Sequence, residues 1–308
     1  MIFSDDLKWS VYIDNIVNHA YKKLGLIKKL KFTLCREKLS KMYITFVRPI
    51  LEYASVVWDG CAISDLEKLE KVQLHAARIV TGLSILASKE SLYFETGWEP
   101  LNERRRKAKL ITMYKMHHNT VPQYLCDTIV NFRKNVQYST RNEENYIIPK
   151  CRTEIFKKSF IPDVICKWNA LPNEVTKSSS ISQFRRSISN MVKNSTAPKH
   201  FNFGKRQLNI IQTKLRHNCV LNYDLFRKNI DTPNCLCGKQ EDAYHFSFTC
   251  KKYSNARHVM FDKLFSLEEL SIIDTNTLLW GHENLRYDIN CKKFSAVQNY
   301  ISMSDRFN

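Results

Sequence analysis

The chain has 308 residues, 44% of them apolar, with only 7 Gly and 8 Pro. That composition excludes wholesale disorder, a turn-rich all-β protein and a long flexible linker. Its 48 Lys and Arg against 30 Asp and Glu leave a formal charge of +18, which favours polyanionic partners, nucleic acid first, with anionic membrane and a merely soluble basic surface as alternatives.

The elements, taken in chain order, are mostly helices. Met1-Ile2-Phe3-Ser4-Asp5-Asp6 places acid where the basic start of a secretory signal belongs, and no apolar stretch follows. From Ile13, apolar residues at Ile16, Val17, Ala20, Leu24 and Ile27 trace one helical face, with Lys22, Lys23, Lys28 and Lys29 off that line. Leu39, Met42, Tyr43, Phe46, Val47, Ile50, Leu51 and Ala54 predict a second helix, kinked at Pro49 and ended by Asp59-Gly60. Ser64 and Glu67, at capping-box spacing, open a third with Leu66, Leu69, Val72, Ala76 and Val80 on its apolar face and Gly82 as its stop. A short helix near 88–95 is broken by Gly97. Pro100 then opens a helix carrying Arg104, Arg105, Arg106, Lys107 and Lys109, which Pro122 closes. Periodicity lapses over 130–153, where Tyr146-Ile147-Ile148-Pro149 reads as a strand or extended segment, and returns over 154–170 and 181–194. Lys193 to Lys205 reads as a linker. The expectation is a mainly α, multi-domain chain: a helical bundle over 1–129, a small mixed connector over 130–195 and a C-terminal domain over 196–308. No repeat or low-complexity tract interrupts it, and no apolar run approaches the roughly 20 residues that span a bilayer.

Ten cysteines without a secretory signal point to a reducing compartment, where close Cys clusters are metal ligands more often than disulfides. The sharpest such cluster is Cys235, Cys237, His245 and Cys250, a C-x-C-x7-H-x4-C spacing within residues 235–250. Three thiolates and an imidazole suit one structural Zn²⁺, with bonds of about 2.3 Å to sulfur and about 2.0–2.1 Å to nitrogen. Gly238 permits the tight turn after the Cys pair, and H-x4-C suits the start of a short helix. The gap between Cys235 and Cys237 is shorter than usual, so Cys219, His217 and His258 stand as substitute ligands. Glu241 and Asp242 make this a less basic knuckle than those that grip nucleic acid themselves, and Phe246 and Phe248 read as its small core.

Lys22, Lys23, Lys28, Lys29, Arg104, Arg105, Arg106, Lys107 and Lys109 are the candidate phosphate contacts, with a solvated helix face as the alternative. Tyr43, Phe46, Trp58 and Tyr114 have the shape to stack on bases, but their helical spacing favours core packing. His117-His118 falls at a helix end, where a favourable dipole contact is its expected role.

Several segments resemble the region after the palm in LINE-like, non-LTR retrotransposon reverse transcriptases. They are Leu7-x-Trp9-x3-Ile13 with Lys22-x-Leu24; Tyr43-x2-Phe46-Val47-Arg48-Pro49-Ile50-Leu51-Glu52-Tyr53-Ala54 with Trp58; and Leu69-Glu70-Lys71-Val72-Gln73 with Ala77-Arg78-Ile79 and Thr81-Gly82. Gly97-Trp98-Glu99-Pro100-Leu101-x2-Arg104-Arg105, Trp168-Asn169-x-Leu171-Pro172, the Cys/His cluster and the closing Arg306-Phe307 extend the likeness over nearly the whole chain. The resemblance implies a helical thumb, then a zinc-knuckle domain, gripping template RNA and target DNA beside the rest of the enzyme, in nucleus or cytoplasm and away from membrane.

The polymerase site itself is not expected here. Two Mg²⁺ need separated carboxylates, and Phe3-Ser4-Asp5-Asp6 runs directly into an amphipathic helix, with no strand after it, so Asp5 and Asp6 read as surface acids. No P-loop, nucleophile elbow or H-E-x-x-H helix occurs. The chain alone is therefore expected not to polymerise. The rival reading is a non-catalytic zinc protein, or a decayed element remnant, that acts through protein contacts.

Overall fold

The computed structural model describes residues 8–130, 132, 145–191, 196–226, 232–267 and 273–307. Among them the fold is mainly helical, with no strand; an isolated antiparallel bridge joins Asn234 and Gln240. Asp5 and Asp6, and most of the 130–144 stretch, lie outside the described residues.

The chain divides into two units, and each draws on three separate stretches. The first takes residues 1–22, 46–73 and 99–194; the second takes 23–45, 74–98 and 195–308. This departs from three consecutive domains at 1–129, 130–195 and 196–308. The helices Ser10–Lys29 and Ile63–Thr81 each give residues to both units; the expected boundary at 129/130 falls inside the first unit, whereas that at 195/196 lies one residue from the break at 194/195.

The first helix buries the expected face, Ile13, Ile16, Ala20, Leu24 and Ile27. The second does not simply kink. An α-helix Arg36–Met42 passes into a wider π turn, Tyr43–Val47, and resumes as Arg48–Glu52 with Pro49 in its first turn, where the missing N–H costs no intrahelical bond. The change of phase buries Tyr43, Val47 and Leu51 four residues apart and leaves Phe46 57% exposed. The third helix begins at Ile63, so Ser64 lies within its first turn and not at the cap.

The helix Leu101–His117 is central to the first unit. Its residues Leu110, Met113, Tyr114 and Met116 share a core with Ile129, Val164, Ile165, Trp168, Phe184 and Ile188. Tyr114 stacks on Phe184 at 4.5 Å and donates to the Ser178 carbonyl at 2.8 Å, so its hydroxyl is satisfied inside the core. Residues 145–150 are extended and not a strand. Asn169 holds them by accepting from the Tyr146 N–H at 2.9 Å and donating to its carbonyl at 2.8 Å. Thr153 and Ser180 cap the helices Glu154–Lys158 and Ile181–Asn190 through their hydroxyls.

The second unit packs around Tyr287–Met303, against Ser254–Phe265 and Arg206–Arg216. Its core joins Leu215, Leu221, Phe246, Tyr253, Met260, Leu264, Leu278, Val297, Tyr300 and Ile301. A fully buried carboxylate, Glu95, also sits in this unit. It meets Arg36 at 2.7 Å, Arg216 at 2.6 Å and His217 at 2.8 Å, and Arg216 lies over the Phe201 ring at 3.5 Å. Burial would raise the Glu95 carboxyl, but Arg216, His217 and Arg36 outweigh it and hold it well below the usual carboxylate range.

Candidate metal centre and cationic surfaces

The Cys235, Cys237, His245 and Cys250 group is assembled by a short loop and a single wide helical turn. After Cys235, Gly238 adopts φ +86°, and its N–H returns to the Cys235 carbonyl at 2.8 Å. The Cys235 N–H donates to the Lys239 carbonyl at 2.7 Å, which closes the loop and sets Cys237 at its tip. His245 opens a π turn, His245–Thr249, which delivers Cys250 one residue later. The four donor atoms all lie within 4.8 Å of one another. Cys235 Sγ and Cys250 Sγ are 3.6 Å apart, and Cys237 Sγ and His245 Nε2 are 3.2 Å apart. Donors around one tetrahedral ion, with bonds of 2.0–2.3 Å, stand about 3.3–3.8 Å apart. The residues thus fit a single metal ion, as the spacing predicted. Cys219, His217 and His258 are not in the group. His217 is committed to Glu95.

The surroundings orient these ligands. His245 Nδ1 lies 3.0 Å from Thr249 Oγ1. A proton on Nδ1 leaves the Nε2 lone pair facing the sulfurs. The Asp242 side chain accepts from the His245 backbone N–H at 2.7 Å. Arg257 donates to the Ser247 carbonyl at 3.1 Å and to the Cys250 carbonyl, and Tyr300 donates to the Phe246 carbonyl. Phe246 is fully buried between Tyr253, Tyr300 and Phe307. Glu241, almost fully buried, forms a two-point pair with Arg306 at 2.8 and 2.7 Å. Burial pushes the Cys235 thiol up to about 11, while the backbone hydrogen bond from Lys239 draws Cys237 below its ordinary value. The group can hold a metal and so close the 235–250 segment on itself, while the Tyr300 hydrogen bond to Phe246 joins that segment to the helix Tyr287–Met303. None of the ten cysteines is in a disulfide.

The expected phosphate contacts separate into two sets. Lys22, Lys23, Lys28 and Lys29 are exposed, and no ion pair engages them among the described residues. The Arg104–Lys109 run is different. Arg105 and Lys109 are buried, Arg105 on Asp59 and Lys109 on both Asp59 and Asp163, the latter at 2.6 Å. Arg104 pairs with Glu52, Arg106 with Glu103 at 2.9 Å, and Lys107 with Glu99. Arg105 and Lys109 therefore cannot meet phosphate, and Arg104, Arg106 and Lys107 are already neutralised. The cause is helical phase: Leu101, Arg105, Lys109 and Met113 lie four apart, so the rotation that buries the two apolar side chains buries both cations. Tyr43, Trp58 and Tyr114 are core residues, whereas Phe46 is exposed.

Sequence reading also missed a cationic cavity of about 510 Å³ within the second unit. Lys28, Lys31, Arg78 and Lys214 line it together with Phe32 and Ile85. These residues come from three separate stretches, so no local pattern announces them; the density of Lys and Arg between 20 and 45 was the single available signal. No helix among the described residues is long and apolar enough to cross a membrane. No protein-family model matches the chain, nor does any curated protein or solved structure.

Proposed function

We propose that this chain binds RNA and DNA as the post-palm part of a LINE-like reverse transcriptase, with a structural zinc ion on Cys235, Cys237, His245 and Cys250. The observation that carries the reading is the set of exposed, unpaired cations at Lys22, Lys23, Lys28 and Lys29 in a chain of net charge +18. Cations without carboxylate partners keep their full attraction for phosphate and release counterions when they meet it. The segments that resemble such enzymes, from Leu7 to Phe307, support the same reading. Three thiols and one imidazole drawn together suit zinc better than Mg²⁺ or Ca²⁺, which prefer oxygen. The ion would anchor the loop to its neighbours and leave the gripping to the lysines. On this reading the chain works inside the cell, in nucleus or cytoplasm, beside the rest of the enzyme, and does not polymerise by itself.

Gel shifts with RNA and with duplex DNA between 50 and 200 mM salt test this. Affinity should fall with salt, with a slope of about −0.9 per phosphate neutralised on duplex DNA. Absent binding, or binding indifferent to salt, would overturn the reading and favour a protein partner.

A further inference from the structure

The cavity near Phe32 has walls from three places in the second unit. The end of the helix Ser10–Lys29 and the turn after it supply Lys28, Lys31 and Phe32. The end of Ile63–Thr81 and the loop beyond supply His75, Arg78, Leu83 and Ile85. The helix Arg206–Arg216 supplies Ile210 and Lys214.

Two details fix these walls. Gly82 has φ +78°, and a Cβ there would stand 2.6 Å from Ile210 Cγ1, so only glycine allows so close an approach. Arg206 donates to the Lys31 carbonyl at 3.1 Å and to the Ile79 carbonyl at 2.9 Å, and so pins the other two walls. The cavity is a built feature of the unit.

Its electrostatics are one-sided. Four cations line it and no carboxylate does. No ion pair engages Lys28, Lys31, Arg78 or Lys214 among the described residues. Arg78 Nε is buried without a hydrogen-bond partner. Burial, and then Lys28 and Arg78, hold the His75 pKa below its ordinary value. Like charges gathered without counter-charge repel, and an anion relieves them. The contrast with the Arg104–Lys109 run is instructive, because there every cation has its carboxylate.

The apolar rim narrows the choice of anion. Phe32 is 60% exposed and Ile85 78% exposed. Lys31 Nζ lies 4.4 Å from the Phe32 centroid. Exposed aromatic surface beside unpaired cations suits a base joined to a phosphate. A volume of about 510 Å³ is within the range of small-ligand pockets. A duplex keeps its bases stacked and paired and cannot present one to Phe32.

We propose, building on the polynucleotide-binding reading above, that this cavity takes one nucleotide of a single strand, with phosphate on Lys28, Arg78 and Lys214 and the base against Phe32. The chain would then prefer single strands to duplex. Lys23 and Lys29 would continue the phosphate track along the helix Ser10–Lys29.

The test uses the full chain and fluorescence anisotropy with a 15-nucleotide oligouridine and a duplex of equal length. Lys214→Glu and Arg78→Glu should each weaken single-strand binding at least about tenfold. Phe32→Ala should weaken it by about 5- to 100-fold, as expected for one stacked base, and leave duplex binding within about twofold. Lys158→Glu, a change of equal charge at an exposed site in the other unit, should stay within about threefold. Photo-crosslinking of 4-thiouridine-containing RNA to the unsubstituted chain, read by mass spectrometry, should mark peptides containing Phe32 or residues 75–85 and needs no variant to fold. Tight wild-type binding with unaltered variants and crosslinks elsewhere overturns the cavity assignment and leaves polynucleotide binding standing. Wild-type indifference to both nucleic acids, or capture only by a phosphopeptide or anionic vesicles, overturns both.

Discussion

Lys293 offers a prediction that depends on the fold alone. It lies in the helix Tyr287–Met303 with no solvent exposure, and its ammonium has no hydrogen-bond partner. Burial pulls its pKa from 10.5 down to about 8, against the weaker attraction of Asp274. A drop of that size corresponds to a cost of about 3 kcal/mol for keeping the charged side chain in the folded state. Lys293→Met retains a long flexible stem and removes the charge, so the chain should gain about 2 kcal/mol at pH 7. The sign in pH follows from linkage. Below pH 8 both folded and unfolded chains hold the proton and the cost is constant. Between about 8 and 10.5 the unfolded chain holds a proton that the folded one has released, so wild-type stability should climb. Urea denaturation of wild type and Lys293→Met at pH 7 and 9.5 checks both points, and the difference between the two proteins should shrink at the higher pH. A variant less stable than wild type, or a gap that does not change with pH, would refute the argument by showing that the ammonium is solvated or paired.

Three other outcomes follow from the same geometry. Glu95→Gln should cost about 3–5 kcal/mol, because it leaves Arg36 and Arg216 buried without a counter-charge. Since the Glu95 carboxyl is held below 4.5 in the folded state, its contribution is complete above that pH and drains below it; acid denaturation should show this for wild type and not for the variant. Lys109→Ala should destabilise by a similar amount, whereas Arg106→Ala, partly exposed on Glu103, should cost under about 1 kcal/mol and leave polynucleotide affinity unchanged in anisotropy titrations. Chelation, or Cys237→Ser, should remove one metal per chain by elemental analysis and raise amide exchange over 235–250 and around Phe307, while the helix Leu101–His117 keeps its protection.

What could be read from the sequence was what is local. Ile13 to Ile27 gave its helix face away because 3.6-residue periodicity needs only neighbours, and the four Cys and His residues of the candidate metal centre lie within one short stretch. Tyr43 to Leu51 was read correctly as helical, but the π turn that exposes Phe46 leaves no mark in an apolar pattern. Arg105 and Lys109 looked like surface charge because their partners, Asp59 and Asp163, lie about fifty residues away in opposite directions. Glu95, the most thoroughly enclosed carboxylate of its unit, reads as one more polar residue of a short helix. Its role depends on Arg36 and Arg216, which only the fold brings together. The residues around the Phe32 cavity were hidden for the same reason.

The interleaving of the two units has a consequence for how the molecule comes into being. The first can finish once residue 194 has left the ribosome, but the second needs the last third of the chain before its core closes. Until then the latter parts of Ser10–Lys29 and Ile63–Thr81 must wait with greasy flanks uncovered. A nick after residue 194 leaves the first unit complete but still carrying two stretches of the second, and trimming from the N-terminus past residue 22 cuts into both.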